Sequence, residues 1–262
     1  MNISRVLLLS IVLFFSNLTN AATYLIGDSL SDPGMLGFTF TDPLINKYAS
    51  LKAGYGKVWT NYFYINNFAV GGSGITFSSP YSKTQDTSMR GQISNLSNIN
   101  SEDTVIIFIG ANDLLKCAQT NCKSIEEIIG TFASNINPLI EEGAKIYVIK
   151  MPASLPFSPG GKLYKNFNSL VMTFNRYIDS LTGVIPIDLS ECPNPPPSDN
   201  LNGTVCAKNI SPNQICGSTN NQLTTNKNTG SFPFADSIHP SSYIHKELAK
   251  CLGPKLNLIE NN

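Results

Sequence analysis

Residues 104–109 read Thr-Val-Ile-Ile-Phe-Ile, an almost wholly apolar run rich in β-branched side chains. Successive side chains of a strand point to opposite faces. A run without alternation therefore needs both faces covered, a situation typical of parallel sheets flanked by helices. Similar segments occur at Thr23–Ile26 and Lys145–Lys150, with a fourth candidate at Val184–Ile187. Helix signals fall between them. Ser124 and Glu127 have capping-box spacing, and Ile125, Ile128, Ile129, Phe132, Ile136, Leu139 and Ile140 recur at helical intervals before Gly143. Pro138 is expected to kink the last turn of that helix. A second helix is predicted over Leu163–Leu181, with Phe167, Leu170, Val171, Phe174 and Ile178 on one face, and a third over Ser241–Leu252. Alternating strands and helices predict an α/β domain around a parallel sheet, with functional residues at the carboxyl ends of its strands.

Two stretches lack this rhythm. Residues 32–62 are rich in Gly, Tyr and Asn, and residues 191–235 hold Pro193, Pro195, Pro196 and Pro197 among others, with three of the six cysteines. The second stretch is long for a connection inside a domain, and its cysteines suggest a pinned lid or rim.

Arg5 precedes a ten-residue apolar run, Val6–Phe15, followed by polar residues and Ala21-Ala22. This order predicts a signal peptide over residues 1–21, cleaved near Ala21. The run is about half the length a membrane span needs. The remaining chain, 22–262, is expected to be one exported, soluble, monomeric domain, secreted or periplasmic. All six cysteines lie in it, and an even number in an exported chain reads as disulfides. Fifteen pairings are open, of which Cys117–Cys122 closes the shortest loop. Zinc fits poorly, since the chain has no CxxC pair and two histidines. Eighteen basic residues balance eighteen acidic ones without long runs of either sign, which argues against nucleic acid as a partner.

Several short motifs carry chemistry. Gly27-Asp28-Ser29-Leu30-Ser31-Asp32 follows the first strand and can expose a serine hydroxyl at a strand-to-loop corner. Taken alone it is as readily a turn. Asp236-Ser237-Ile238-His239-Pro240 can set an imidazole against a carboxylate, as a serine nucleophile requires; its alternative is a helix cap beside a surface histidine. The other histidine, His245, falls inside the terminal helix with no nearby acid and reads as structural. Asn67–Gly74 is a strand end running into glycines, and Gly110-Ala111-Asn112-Asp113 follows the Thr104 strand. Each could supply a hydrogen-bond donor to an oxyanion, or be a plain turn and a helix cap.

In combination and in this order, the motifs resemble the GDSL, or SGNH, hydrolases. Ser29 matches the serine of the first block, Gly72 the glycine of the second, Asn112 the asparagine of the third, and Asp236 and His239 the final Asp-x-x-His-Pro. The resemblance covers residues 24 to about 250. It implies a flavodoxin-like, three-layer α/β/α sandwich and ester hydrolysis through an acyl-enzyme, with no cofactor or metal. Ser29, Asp236 and His239 would be catalytic, with the Ser29 and Gly72 N–H groups and the Asn112 side chain forming the oxyanion hole. Gly-Asp-Ser-Leu-Ser-Asp is most similar to a secreted bacterial branch of lysophospholipases and glycerophospholipid–cholesterol acyltransferases, although Pro33-Gly34-Met35 stands where that branch often has Gly-Asn. The resemblance implies a lipid or lysophospholipid ester as partner, with transient membrane-surface contact. Short-chain or acetylated-sugar esters form the alternative, and an inactive binding module on the same scaffold or a serine protease are further readings.

Overall fold

In a computed structural model, residues 21–41, 44–45, 51–52, 56–119, 124–152, 164–192, 234–235 and 238–261 are described. The strands are β1 Thr23–Gly27, β2 Leu44–Ile45, β3 Leu51–Lys52, β4 Asn66–Asn67, β5 Thr104–Phe108, β6 Lys145–Ile149 and β7 Val184–Ile187. The helices are α1 Met89–Ser94, α2 Ala111–Gln119, α3 Ile125–Glu141, α4 Phe167–Ser180 and α5 Ser242–Leu256.

Five strands form one parallel sheet in the order β4-β1-β5-β6-β7. The β2–β3 pair is a separate antiparallel ribbon within the region that showed no sequence period. Val105 to Ile109 are at most 1% exposed. Because neighbouring side chains point opposite ways, that burial means both faces of the sheet are covered, as in the expected α/β/α sandwich. Helices α1 to α4 pack against one another and α5 against the short helical turn Trp59–Tyr62. Phe132 of α3 meets Phe174 of α4 edge-on in the core, with ring centroids 5.4 Å apart.

Local chemistry explains the boundaries. Ser124 caps α3 by accepting the Glu127 N–H at 3.3 Å, with Glu126 and Glu127 against the positive end of the helix dipole. The helix continues through Pro138 to Glu141, because buried Ile136 and Leu139 anchor it on both sides of the missing N–H. Helix α4 begins at Phe167, later than the predicted Leu163, since Phe167 is the first residue of its buried stripe with Val171, Phe174 and Ile178. Helix α5 outruns its predicted end at Leu252 by a turn. Leu252, Gly253 and Leu256 are all buried, and Asn257, in the left-handed region at φ 53°, closes it. Strand β7 is an edge strand, which is why Pro186 and exposed Ile185 are tolerated in it.

The disulfide Cys192–Cys251 ties the segment after β7 to α5, and Cys117 is also disulfide-bonded. Cys122, Cys206, Cys216 and most of the 191–235 stretch lie outside the described residues. Among the described residues, no helix is long and apolar enough to cross a membrane.

Candidate active site

The chain leaves β1, forms β4 on one side of it, and then crosses to form β5 on the other. The carboxyl ends of β4, β1 and β5 are thus neighbours at the point where strand order reverses, where open α/β sheets bind ligands. Ser29 follows β1, Gly72 follows β4, and Asn112 lies in the first turn of α2, directly after β5. The three predicted oxyanion residues converge on one rim although up to 83 positions separate them in sequence.

The end of β1 is held by Gln92, whose side-chain amide acts as one more strand. Its Oε1 accepts the Gly27 N–H and its Nε2 donates to the Gly27 carbonyl, both at 2.8 Å. The chain then turns sharply, with the Ser31 and Asp32 N–H groups both donating to the Asp28 carbonyl at 3.0 Å. Among the described residues, the Ser29 and Gly72 N–H groups donate to no protein acceptor, and both residues line a cavity of about 360 Å³. Gly72 has φ +80°, and a Cβ there would stand 3.1 Å from Ser79, Pro80 and Tyr81. A side chain there would strain the backbone and crowd all three neighbours, which suits the position to glycine.

His239 is held at the far edge. The Ala235 N–H donates to its carbonyl at 2.8 Å, and Phe234 and Pro240 pair on either side. Ser241 then caps α5. Across the cavity, His239 Nε2 lies 2.8 Å from Ser29 Oγ, within reach for proton transfer. The Phe40 ring packs on the imidazole, centroids 5.0 Å apart and planes 31° apart. The structure therefore brings Ser29, His239, Gly72 and Asn112 together. Asp236, the fifth predicted residue, lies outside the described residues.

Asn112 does not cap its helix. Its Nδ2 donates one proton to the Ser73 carbonyl at 2.8 Å, which orients the amide and leaves its second proton for another acceptor. Leu30, Phe40, Phe77, Pro80, Tyr81, Leu115 and Ile238 give the cavity apolar walls, and Lys116 supplies charge, its ammonium 4.5 Å from the Phe77 ring centroid.

Residues not singled out by sequence prove prominent. Asp28 is wholly buried beneath Ser29; its Oδ1 accepts the Leu30 N–H at 3.0 Å, while Oδ2 has no hydrogen-bond partner among the described residues. Burial pushes this carboxyl up to about 7, against the pull of the Leu30 and Ala111 N–H groups and the nearby His239, and Asp113 adds to the rise. Burial likewise raises Asp32 and Asp113 above the usual range despite the N–H groups that each accepts. His245 is buried in α5 with neither ring nitrogen hydrogen-bonded, and desolvation, with charge at His239, pushes it down to about 3. It is a neutral core residue, in keeping with the structural role read from sequence. The Gly-Asp-Ser-Leu-Ser-Asp and Asn-Asp motifs already displayed these acids as letters, but their burial depends on partners far away in the chain.

A family model described as GDSL-like lipase/acylhydrolase matches residues 24–252. No curated protein sequence matches significantly. Among solved structures, an aryl esterase of M. smegmatis is similar at a TM-score of 0.50 and 12% identity, covering 90% of this chain and 98% of that one. The C-terminal domain of the Drosophila Oskar protein gives 0.45 and 14%, covering 90% and 91%. A Bacillus subtilis protein gives 0.38 and 15%, covering 65% of this chain, which spans only 44% of that protein's length.

Proposed function

The chain belongs to the GDSL-like lipase/acylhydrolase family, and on that premise we propose that it hydrolyses esters through Ser29, with His239 as general base and Asp236 as the partner of His239. The observation that carries this reading is the 2.8 Å contact between Ser29 Oγ and His239 Nε2. A serine hydroxyl is a weak nucleophile until a base takes its proton. In the proposed reaction His239 accepts that proton as Oγ bonds to the ester carbonyl carbon. The negative charge moves onto the carbonyl oxygen, where the Ser29 and Gly72 N–H groups and the second Asn112 amide proton receive it. His239 then protonates the departing alcohol, leaving an acyl group on Ser29. A water attacks in the same way and releases the acid. One donor of such a set is worth about 10²–10³ in rate. Asp236 would fix the imidazole tautomer and stabilise the imidazolium.

Apolar walls around the nucleophile favour an apolar acyl group. We assign lipid esters, lysophospholipid among them, as substrates, with an alcohol able to replace water in acyl transfer; short-chain and acetylated-sugar esters are the competing class. The residue 5–22 pattern, with disulfides suited to an oxidising compartment, supports export of residues 22–262.

The test is a series of p-nitrophenyl esters from acetyl to long acyl chains plus lysophosphatidylcholine, with cholesterol offered as acceptor, using wild type and Ser29→Ala. Turnover should fall at least about 10³-fold in the variant. Equal turnover by the two proteins would refute the mechanism. Rapid cleavage of acetyl esters with no release of fatty acid from lysophosphatidylcholine would refute the lipid assignment alone.

A further inference from the structure

Buried carboxyl groups tie the glycine loop after β4 to the segments that follow β1 and β5, and a third lies beneath the loop after β1. Asp32, after β1, accepts the Gly71 N–H on Oδ2 at 2.7 Å, one residue before Gly72; its Oδ1 accepts the Gly34 and Met35 N–H groups at 2.8 and 2.7 Å. Asp113, on α2 after β5, reaches the same glycine loop further along. It accepts the Ile75 N–H at 2.7 Å, the Thr76 N–H at 3.0 Å and the Thr76 hydroxyl at 2.8 Å. Asp28 lies beneath the loop after β1, accepting the Leu30 N–H at 3.0 Å, with the backbone of Ala111, at the start of α2 after β5, close enough to favour its charge.

The three are at most 3% exposed, and among the described residues none forms a salt bridge with Lys or Arg. Burying a carboxyl without a cation is costly, and stability alone would be better served by neutral side chains. What a carboxylate offers is short, strong acceptance of several N–H groups at once. The segment so held, Gly71 to Gly74, has three glycines in four residues and little stiffness of its own.

We propose that Asp28, Asp32 and Asp113 are positioning residues that fix the mutual spacing of the Ser29, Gly72 and Asn112 donors, so that the three point at one oxygen. This rests on the reading of those donors as an oxyanion hole. None of the three acids touches the substrate, and each acts through the loop that it ties. Asp32 carries most consequence for Gly72, Asp113 for Asn112 and the glycine loop together.

Asparagine in place of Asp32 or Asp113 cannot accept from both sides, because its amide nitrogen meets an N–H donor. Misplacement of a reacting group by about 1 Å costs about 100-fold in rate. With p-nitrophenyl butyrate, and active sites counted by a fluorophosphonate probe so that unfolded protein drops out, Asp32→Asn should lower kcat per site by about 10- to 100-fold with KM within about twofold. Thr76→Val, which removes one donor to Asp113 and leaves every acid in place, should lower it about two- to fivefold. The loss caused by Asp113→Asn should shrink to less than about threefold in an Asn112→Ala background, since the donor it positions is then gone. Full kcat per site in Asp32→Asn and Thr76→Val, or losses from Asp113→Asn and Asn112→Ala that simply multiply, would overturn the proposal. Asn112→Ala with undiminished kcat would instead remove the oxyanion reading and this inference with it.

Discussion

Replacing Asp28 with asparagine separates what this residue costs the fold from what its shape provides. Its carboxyl titrates near 7 when folded, and near 3.8 when exposed. The unfolded chain therefore gives up the proton from about pH 3.8 upward, whereas the folded chain keeps it to about pH 7. The unfolded state binds fewer protons across that window, so stability falls as pH rises, by about 4 kcal/mol in total. Asparagine does not titrate, and its Oδ1 can still accept the Leu30 N–H. Its amide occupies the place of Oδ2, which has no partner among the described residues and which would carry the proton of the neutral acid. The variant and the protonated wild type should thus be near equals. Relative to wild type, Asp28→Asn should be about 1 kcal/mol more stable at pH 4.5 and about 4 kcal/mol more stable at pH 8. For a chain of this size, the added 3 kcal/mol corresponds to a further rise in Tm of about 6–12 °C. Urea denaturation at the two pH values, followed by intrinsic fluorescence, gives the gap directly. Asp32 and Asp113 are shared by both proteins and cancel in the difference. A gap that does not widen with pH, or a variant less stable at pH 8, would refute the account of Asp28 as an acid desolvated at the expense of stability.

Other perturbations have definite outcomes. His245 resists protonation to about pH 3 when folded, whereas an exposed histidine accepts a proton at 6.5, so its contribution is intact above pH 6.5 and lost as pH falls. His245→Leu should gain on wild type by about 3 kcal/mol between pH 7 and 4 in the same denaturation assay, and a constant gap would contradict it. The Cys192–Cys251 disulfide joins residues 59 apart, and Cys192→Ser should lose about 4 kcal/mol by loop-closure entropy; a loss under about 1 kcal/mol by calorimetry would show that the tether restrains little. Lys116→Glu should lower kcat/KM for an ester bearing a negative group about three- to tenfold relative to a neutral ester of the same size, with the effect fading in high salt. Equal changes for both esters would exclude a role for Lys116 in reading substrate charge.

The parts of the fold legible in sequence were those whose burial is written in local pattern. Strand β5 is apolar on both faces, and α3 carries a cap, a stripe and a glycine stop. Strand β4 is two asparagines with no apolar signature; it pairs because the edge of β1 offers backbone partners. The last turn of α5 lies beyond the predicted end at Leu252, across Gly253 and Pro254, and is held by the burial of Leu256, which no local pattern displays. At the site, ordered motifs sufficed to name Ser29, Gly72, Asn112 and His239, and the structure brings these four onto one rim. Phe40, Tyr81 and the burial of Asp28 were illegible, because each depends on a surface that exists only after distant strands have paired.

Ser29 and His239 stand 210 residues apart in sequence and 2.8 Å apart in space. During synthesis the serine emerges early and the histidine late, with both flanks of the sheet made in between. A chain still on the ribosome, or clipped anywhere before residue 239, carries a hydroxyl with no base beside it. On the proposed mechanism, reactivity toward esters arrives only when the fold closes and brings the two residues together.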